Sequence, residues 1–224
     1  MATATASRGE LTRQKILDAA EILFAEQDFS AARLEDVALA VGIRRASIVY
    51  YFAGKQELYD EVEKRVFKVM IERTAQSLDP NASAMNRLLA VIDSWLDFMV
   101  ERPTVPRLIL RDSANTYPNA SAPVRISSIA LQTWETVIRE GQASGEFVAA
   151  NPMHLLHLLG AAPIYYAATG QLLGEERNYD AAAPDQLEAF RALVHTSARA
   201  LLQPGRNQPQ STVISPTCAT SRSG

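Results

Sequence analysis

The stretch Leu34-Glu35-Asp36-Val37-Ala38-Leu39-Ala40-Val41-Gly42-Ile43-Arg44-Arg45-Ala46-Ser47-Ile48-Val49-Tyr50-Tyr51-Phe52 decides the fold. Leu34, Val37, Ala38 and Val41 recur at the i, i+3, i+4, i+7 spacing of a short amphipathic helix, and Gly42 after them suits the left-handed position that ends one. Ile43 keeps the turn apolar. A third segment, 45–52, places Ile48 and Phe52 four residues apart on one inward face. Two short helices about a glycine turn make a helix-turn-helix, an arrangement whose second helix enters the DNA major groove.

Outward from this unit the pattern stays helical, and no run alternates long enough to read as a strand. Ile16, Leu17, Ala20, Leu23 and Phe24 set a first helix over 10–26, and Leu58, Val62, Val66, Val69 and Met70 set a long one over 55–77. Asp79, Pro80 and Asn81 mark a boundary, and an unusually wide apolar face follows over 85–100. Pro103, Pro106, Pro118 and Pro123 separate helices over 104–115 and 124–143, and 153–169 and 185–202 supply the last two. Pro163 should kink or divide the first of these. The expectation is an all-α chain of about nine helices. A flexible start (1–9) precedes a helix-turn-helix domain (10–54), a linking helix (55–77), a second helical domain (78–203) and a mobile Ser/Thr/Pro-rich tail (204–224).

Composition narrows the function. With 47% apolar and 21% charged residues over 224 positions, the chain can bury a core without staples. The single cysteine, Cys218, excludes an internal disulfide and a cysteine-based zinc site, which fits a reducing cytoplasm. The most apolar stretch, 155–169, is interrupted by His157, Gly160 and Pro163 and is shorter than the ~20 residues of a membrane span. Neither a membrane nor a cofactor is expected.

A net charge of −3 makes the whole molecule a poor polyanion binder, so any nucleic-acid site must be local. The first sixty residues hold seven basic and nine acidic side chains, yet 42–56 holds Arg44, Arg45 and Lys55 and no acid. With Ile48 and Phe52 turned inward, Ala46, Ser47 and Tyr50 point outward beside that charge. Arg, Lys and Tyr can bond phosphates, and an arginine at the start of the third helix can reach guanine acceptors. A solvated charged face on an ordinary three-helix cluster is the plainer reading of the same residues.

The runs Ile16-Leu17-Asp18-Ala19-Ala20-Glu21-Ile22-Leu23-Phe24-Ala25-Glu26, Leu34-Glu35-Asp36-Val37-Ala38 and Gly42 through Leu58 resemble the DNA-binding domain of TetR-type transcriptional regulators. The resemblance covers about residues 10 to 60. It implies a homodimer whose C-terminal helical domain binds a small molecule, whose linking helix moves on binding, and whose recognition helices then lose successive major grooves. It also implies repression in most cases, on a near-palindromic double-stranded operator. Residue by residue, Lys55 falls on a phosphate-contacting lysine, Ser47 on a Thr or Ser touching backbone or base, and Tyr51 on a His or Tyr near phosphate. The expected DNA contacts are thus Arg44, Arg45, Ala46, Ser47, Tyr50, Tyr51 and Lys55. Three positions depart from the pattern: Val49 replaces a tyrosine, Arg44 a serine, and Arg33 a capping Ser or Thr.

For the second domain, the aromatic and polar mixture of Phe67, Met70, Trp95, Phe98, Met99, Leu108, Arg111, Asn115, Tyr117, Trp134, Tyr165 and Tyr166 suits a pocket for a small apolar or aromatic effector. Plain core is the alternative for each, and Arg111 also reads as half of an internal salt bridge. By analogy with the family, the last two helices form the dimer interface, with Leu156, Leu159, Leu187, Phe190 and Val194 as its candidates. His154 and His157 lack a third metal ligand nearby. No phosphate loop, nucleophile elbow or His/Cys constellation appears, so no enzyme is expected. The competing reading is a helical protein-interaction adaptor with no DNA target.

Overall fold

A computed structural model describes residues 7–114, 123–174, 177 and 179–205. The described residues are helical throughout, with no strand: α1 (Arg8–Glu26), α2 (Leu34–Val41), α3 (Arg45–Tyr51), α4 (Lys55–Ser77), α5 (Ala84–Glu101), α6 (Thr104–Ala114), α7 (Pro123–Ala143), α8 (Pro152–Leu155), α9 (Ala161–Gly174) and α10 (Pro184–Leu202). A single π-helical turn, Leu156–Gly160, joins α8 to α9 without a break, so these segments make nine rods. The π turn ends just ahead of Pro163, so the helix deforms rather than divides there.

Helix ends follow local chemistry. Ser7 Oγ accepts the Glu10 amide at 3.2 Å, starting α1 inside the segment expected to be a flexible lead. Gly42 adopts φ 73°, and the Ile43 amide reaches back to the Ala38 carbonyl at 3.0 Å, which fixes the turn between α2 and α3. Arg33 and Arg44 precede α2 and α3 without a side-chain cap. The start of α5 is held from a distance: both Glu146 oxygens accept amides, those of Ala84 and Met85, at 2.8 Å each.

Ile48 and Phe52 of the α3 segment are fully buried in one core with Ile16, Leu17, Phe24, Val37 and Leu58. That core continues without a break into the larger bundle through α4, which packs on α1, α5 and α7. The helix α6 also packs directly on α1, so the two halves touch through more than the linking helix. Trp134, fully buried, stacks on Trp95 at 5.7 Å and donates to the Pro152 carbonyl at 2.8 Å. On the far side Arg191 of α10 bonds Asp93 and Asp97 of α5 at 2.9 and 2.6 Å, and His195 meets Asp93 at 2.8 Å.

Candidate functional sites: a helix-turn-helix face and an acidic cavity

The exposed side of α3 is built by subtraction. Once Ile48 and Phe52 are committed to the core, helical geometry leaves Arg45, Ala46, Val49 and Tyr50 in solvent, with Arg44 just ahead of them. Tyr50 is 84% exposed and meets the half-buried Tyr51 edge to face at 5.2 Å. Ser47 is also half-buried. Arg45 pairs with Glu35 of α2 at 2.8 Å, whereas Arg44 makes no ion pair among the described residues.

Lys55, expected at a phosphate, has partners within the chain. Its Nζ donates to the carbonyls of Phe29 and Ala32 at 2.5 and 2.9 Å and lies 4.5 Å from the Phe29 ring centroid. The ammonium therefore ties the start of α4 to the loop between α1 and α2. The exposed basic charge of this region rests on Arg44 and Arg45, with Arg33 nearby in sequence and also exposed. Val49 is the exposed position on α3 that the contact set leaves out; its outward register beside Tyr50 is the signal that could have found it.

Ionic groups fasten α1 to the rest, beginning with Arg13, which pairs with Glu61 of α4 at 2.6 Å. Glu21, almost fully buried on α1, accepts from Arg65 of α4 at 2.9 Å, from Arg102 Nε at 2.7 Å, and from Thr104 of α6 at 2.6 Å. Burial alone would raise its pKa, but these donors outweigh burial and hold the carboxyl below its ordinary range. About one turn further along α1, Arg111 of α6 donates to the carbonyls of Ala25 and Glu26 at 3.0 and 2.9 Å and pairs with Asp28 at 2.7 Å. Arg111 thus closes on α1, in an internal salt bridge, rather than entering the cavity.

Between α4, α5, α6, α7, the π turn and α9 lies a cavity of about 460 Å³. Phe67, Met70, Trp95, Met99, Leu108 and Tyr165 line it. Phe98, Trp134 and Tyr166, also expected there, do not: Phe98 is core beneath Arg73, Trp134 lies behind Trp95, and the Tyr166 hydroxyl donates to the Ala181 carbonyl at 2.7 Å. Asn115 falls outside the described residues, as does Tyr117.

The cavity also has a polar wall that the aromatic pattern did not reveal. Glu63 lines it while only 4% exposed, and its Oε2 has no hydrogen-bond partner. Burial, then the charges of Asp112 and Asp60, push its carboxyl up to about 8, against a hydrogen bond from Tyr59 that works the other way. Asp112 stands at the exposed rim, its pKa raised by burial, with Ser113 and His157. The signal for Glu63 was present: Glu63, Val66, Phe67 and Met70 form one i, i+3, i+4, i+7 stripe, an acid heading an otherwise apolar face. Gly160 is the floor beside Trp95, where a Cβ would lie 3.2 Å from the indole and 2.7 Å from Leu156.

The residues expected at a dimer interface turn inward instead. Leu159 and Val194 are buried in this chain's own core, Leu156 faces the cavity, and Phe190 stacks on Tyr166 at 3.9 Å with Leu187 packed against the same cluster. The outward apolar side chains of these helices are Leu158, Tyr165 and Leu172 on the π turn and α9, seven apart, and Leu193 and Leu201 on α10. The π turn rotates the positions of α9 that follow it, Tyr165 and Leu172 among them, relative to a regular helix.

Residues 16–62 match the model of the bacterial regulatory proteins, tetR family. The chain is 32% identical over 146 residues to the transcriptional regulator AlkX of Mycobacterium tuberculosis, covering 58% of this chain and 67% of that protein. It is 24% identical over 150 residues to the repressor KstR2 of Mycolicibacterium smegmatis, covering 66% and 73%. With the activator FasR of the same species it shares 26% over 116 residues, and the match spans 52% of this chain and about half, 53%, of FasR. The crystal structure of the regulator SCO4942 from Streptomyces coelicolor superposes over 88% of this chain and 99% of its own, with a TM-score of 0.66 at 24% identity. The chain belongs to the TetR family, and it is a DNA-binding transcription regulator rather than an enzyme. Among the described residues no helix is long and apolar enough to cross a membrane.

Proposed function

We propose that the protein is a homodimeric, cytoplasmic repressor that a small molecule releases from a near-palindromic operator. Residues 10–54 read DNA, 55–77 link, and 78–203 bind the effector and the second copy. Arg44, Arg45, Ala46, Ser47, Tyr50 and Tyr51 make the contacts, joined by Val49, whose exposed methyls suit a thymine methyl. Lys55 acts indirectly, by fixing the angle at which α4 leaves the reading head.

The observation that carries this reading is the position of α6 and α4. Both wall the cavity, and both are pinned to α1, through Arg111 on one and Arg65 on the other. A ligand that alters the spacing of these helices therefore strains contacts to the reading head, and twofold-related heads must stay one helical turn of DNA, about 34 Å, apart. The second copy docks on the face of Leu158, Tyr165, Leu172 and Leu193, which supplies a self-complementary apolar stripe.

Fluorescence anisotropy with DNA flanking the gene tests it. Specific binding is expected to weaken steeply as salt rises, with one dimer per two-half-site duplex. Salt-insensitive association with protein and no preference for that DNA would favour the adaptor. Small molecules retained on the purified protein, identified by mass spectrometry, should lower operator affinity when added back. Reporter output in a strain lacking the gene reads the sign: a rise indicates repression, a fall activation.

A further inference from the structure

We infer that the effector is a hydrophobic amine: an aromatic or alicyclic body carrying one protonated nitrogen, which the Glu63 carboxylate accepts from within the cavity. This rests on the reading of the cavity as the effector site. The body of the ligand is set by the walls, where Val66, Phe67, Met70, Trp95 and Met99 offer apolar and aromatic surface to a molecule of drug size. The charge is set by what stands among them.

Among the described residues no lysine or arginine lines the cavity, whereas Glu63 and Asp112 do. A carboxylate or phosphate ligand would meet two acids and no compensating cation. A neutral apolar ligand would leave Glu63 Oε2 buried and unpaired, since no group of the chain bonds it. Buried polar atoms are rarely left so, and each one without a partner costs free energy. An ammonium N–H supplies the missing donor and neutralises the carboxylate at once. Tyr59, bonded to the same carboxyl from the preceding helical turn, holds it in place, and Trp95 and Phe67 add aromatic rings, which attract cations, to the same walls.

The titratable groups facing Glu63 are Tyr59 and Asp60 on its own helix, Asp112 on α6, His157 in the π turn and Tyr165 on α9. None of these described groups is a fixed cation that could hold the carboxylate ionised. With its carboxyl raised to about 8, Glu63 is largely protonated at pH 7 before binding. Capture of an ammonium ionises it, so up to one proton leaves Glu63 Oε for solvent per site. Above pH 9 the carboxyl is already ionised and no proton is released.

A matched trio tests the assignment: 1-naphthylmethylamine, 1-naphthylmethanol and 1-naphthylacetate, titrated calorimetrically into the full-length protein in two buffers of different ionisation enthalpy. The amine is expected to bind about ten- to a hundredfold tighter than the alcohol, with the acid weakest and proton release seen for the amine alone. Glu63→Gln removes the amine's advantage and the proton release while the alcohol binds within about twofold of its original affinity, and Asp112→Asn reduces amine binding roughly threefold. If the amine and alcohol bind alike, or the acid binds best, or Glu63→Gln changes nothing, the charge assignment is wrong and the cavity remains the effector site. If none of the three binds to a protein that melts cooperatively, the cavity reading itself falls and takes this inference with it.

Discussion

Arg111 Nε donates to the carbonyl of Ala25 at 3.0 Å, so a side chain of α6 closes the C-terminal end of α1. The next residue, Asp112, stands at the rim of the cavity. One peptide bond thus separates a group that a ligand would meet from a group that holds the reading head. Glu21 repeats the connection at the other end of α6, where Thr104 and Arg102 bond its buried carboxylate. An α-helix is stiff over the roughly two turns between these two anchors, so displacement at the cavity is passed on to α1.

Arg111→Ala should separate binding from response. The variant loses two bonds to carbonyls and a partly exposed ion pair, which together cost about 1–2 kcal/mol of stability. Effector affinity measured by calorimetry stays within about twofold, while the effector-induced loss of operator affinity, read by anisotropy, shrinks at least fivefold.

On the reading head, Arg44→Ala and Tyr50→Ala should weaken operator binding by about 1–3 kcal/mol each with little change in melting temperature, because both side chains lie in solvent. Lys55→Ala should show the opposite balance: it frees the Phe29 and Ala32 carbonyls, so the melting temperature falls and DNA binding weakens through a misplaced head. A salt titration separates the two, since removing a phosphate contact lowers the slope of log affinity against log salt by about one, and removing an internal brace leaves it unchanged.

Stability should depend on pH through two glutamates of opposite sign. Glu63 has its folded pKa raised from 4.5 to about 8, so its ionisation opposes folding from about pH 4.5 upward and fully so above 8. Glu63→Gln should melt like the parent at pH 4 and roughly 3–6 °C higher at pH 8.5. Glu21 has its folded pKa lowered, so its contribution is present above pH 4.5 and is lost as the pH falls through its depressed value. Glu21→Gln should therefore flatten the acid limb of the curve, and differential scanning fluorimetry from pH 3 to 9 reads both.

Leu193→Arg should give a folded monomer. Leu193 is 63% exposed and lies outside the core, so an arginine there leaves the protomer intact but places a charge in the proposed interface. Light scattering should report halved mass, and cooperative operator binding should disappear. Val194→Arg, one position on, should instead unfold the chain, because Val194 is core.

The helix count, the glycine turn and the inward pair Ile48 and Phe52 were legible in the sequence because each follows from short-range geometry: a 3.6-residue period, a left-handed φ at Gly42, a proline between rods. The family resemblance was legible for the same reason, since its motif lies within about fifty contiguous residues. Tertiary structure alone decided where long side chains go. Lys55 folds back on carbonyls more than twenty residues away, Arg111 reaches α1, and Glu63 meets Asp112 across a cavity whose walls come from six segments. The outward face of α9 depended on an extra residue in the π turn, which no periodic reading allows for. Periodicity says which side of a helix is apolar; only the packing of other helices says whether that side meets core, cavity or solvent.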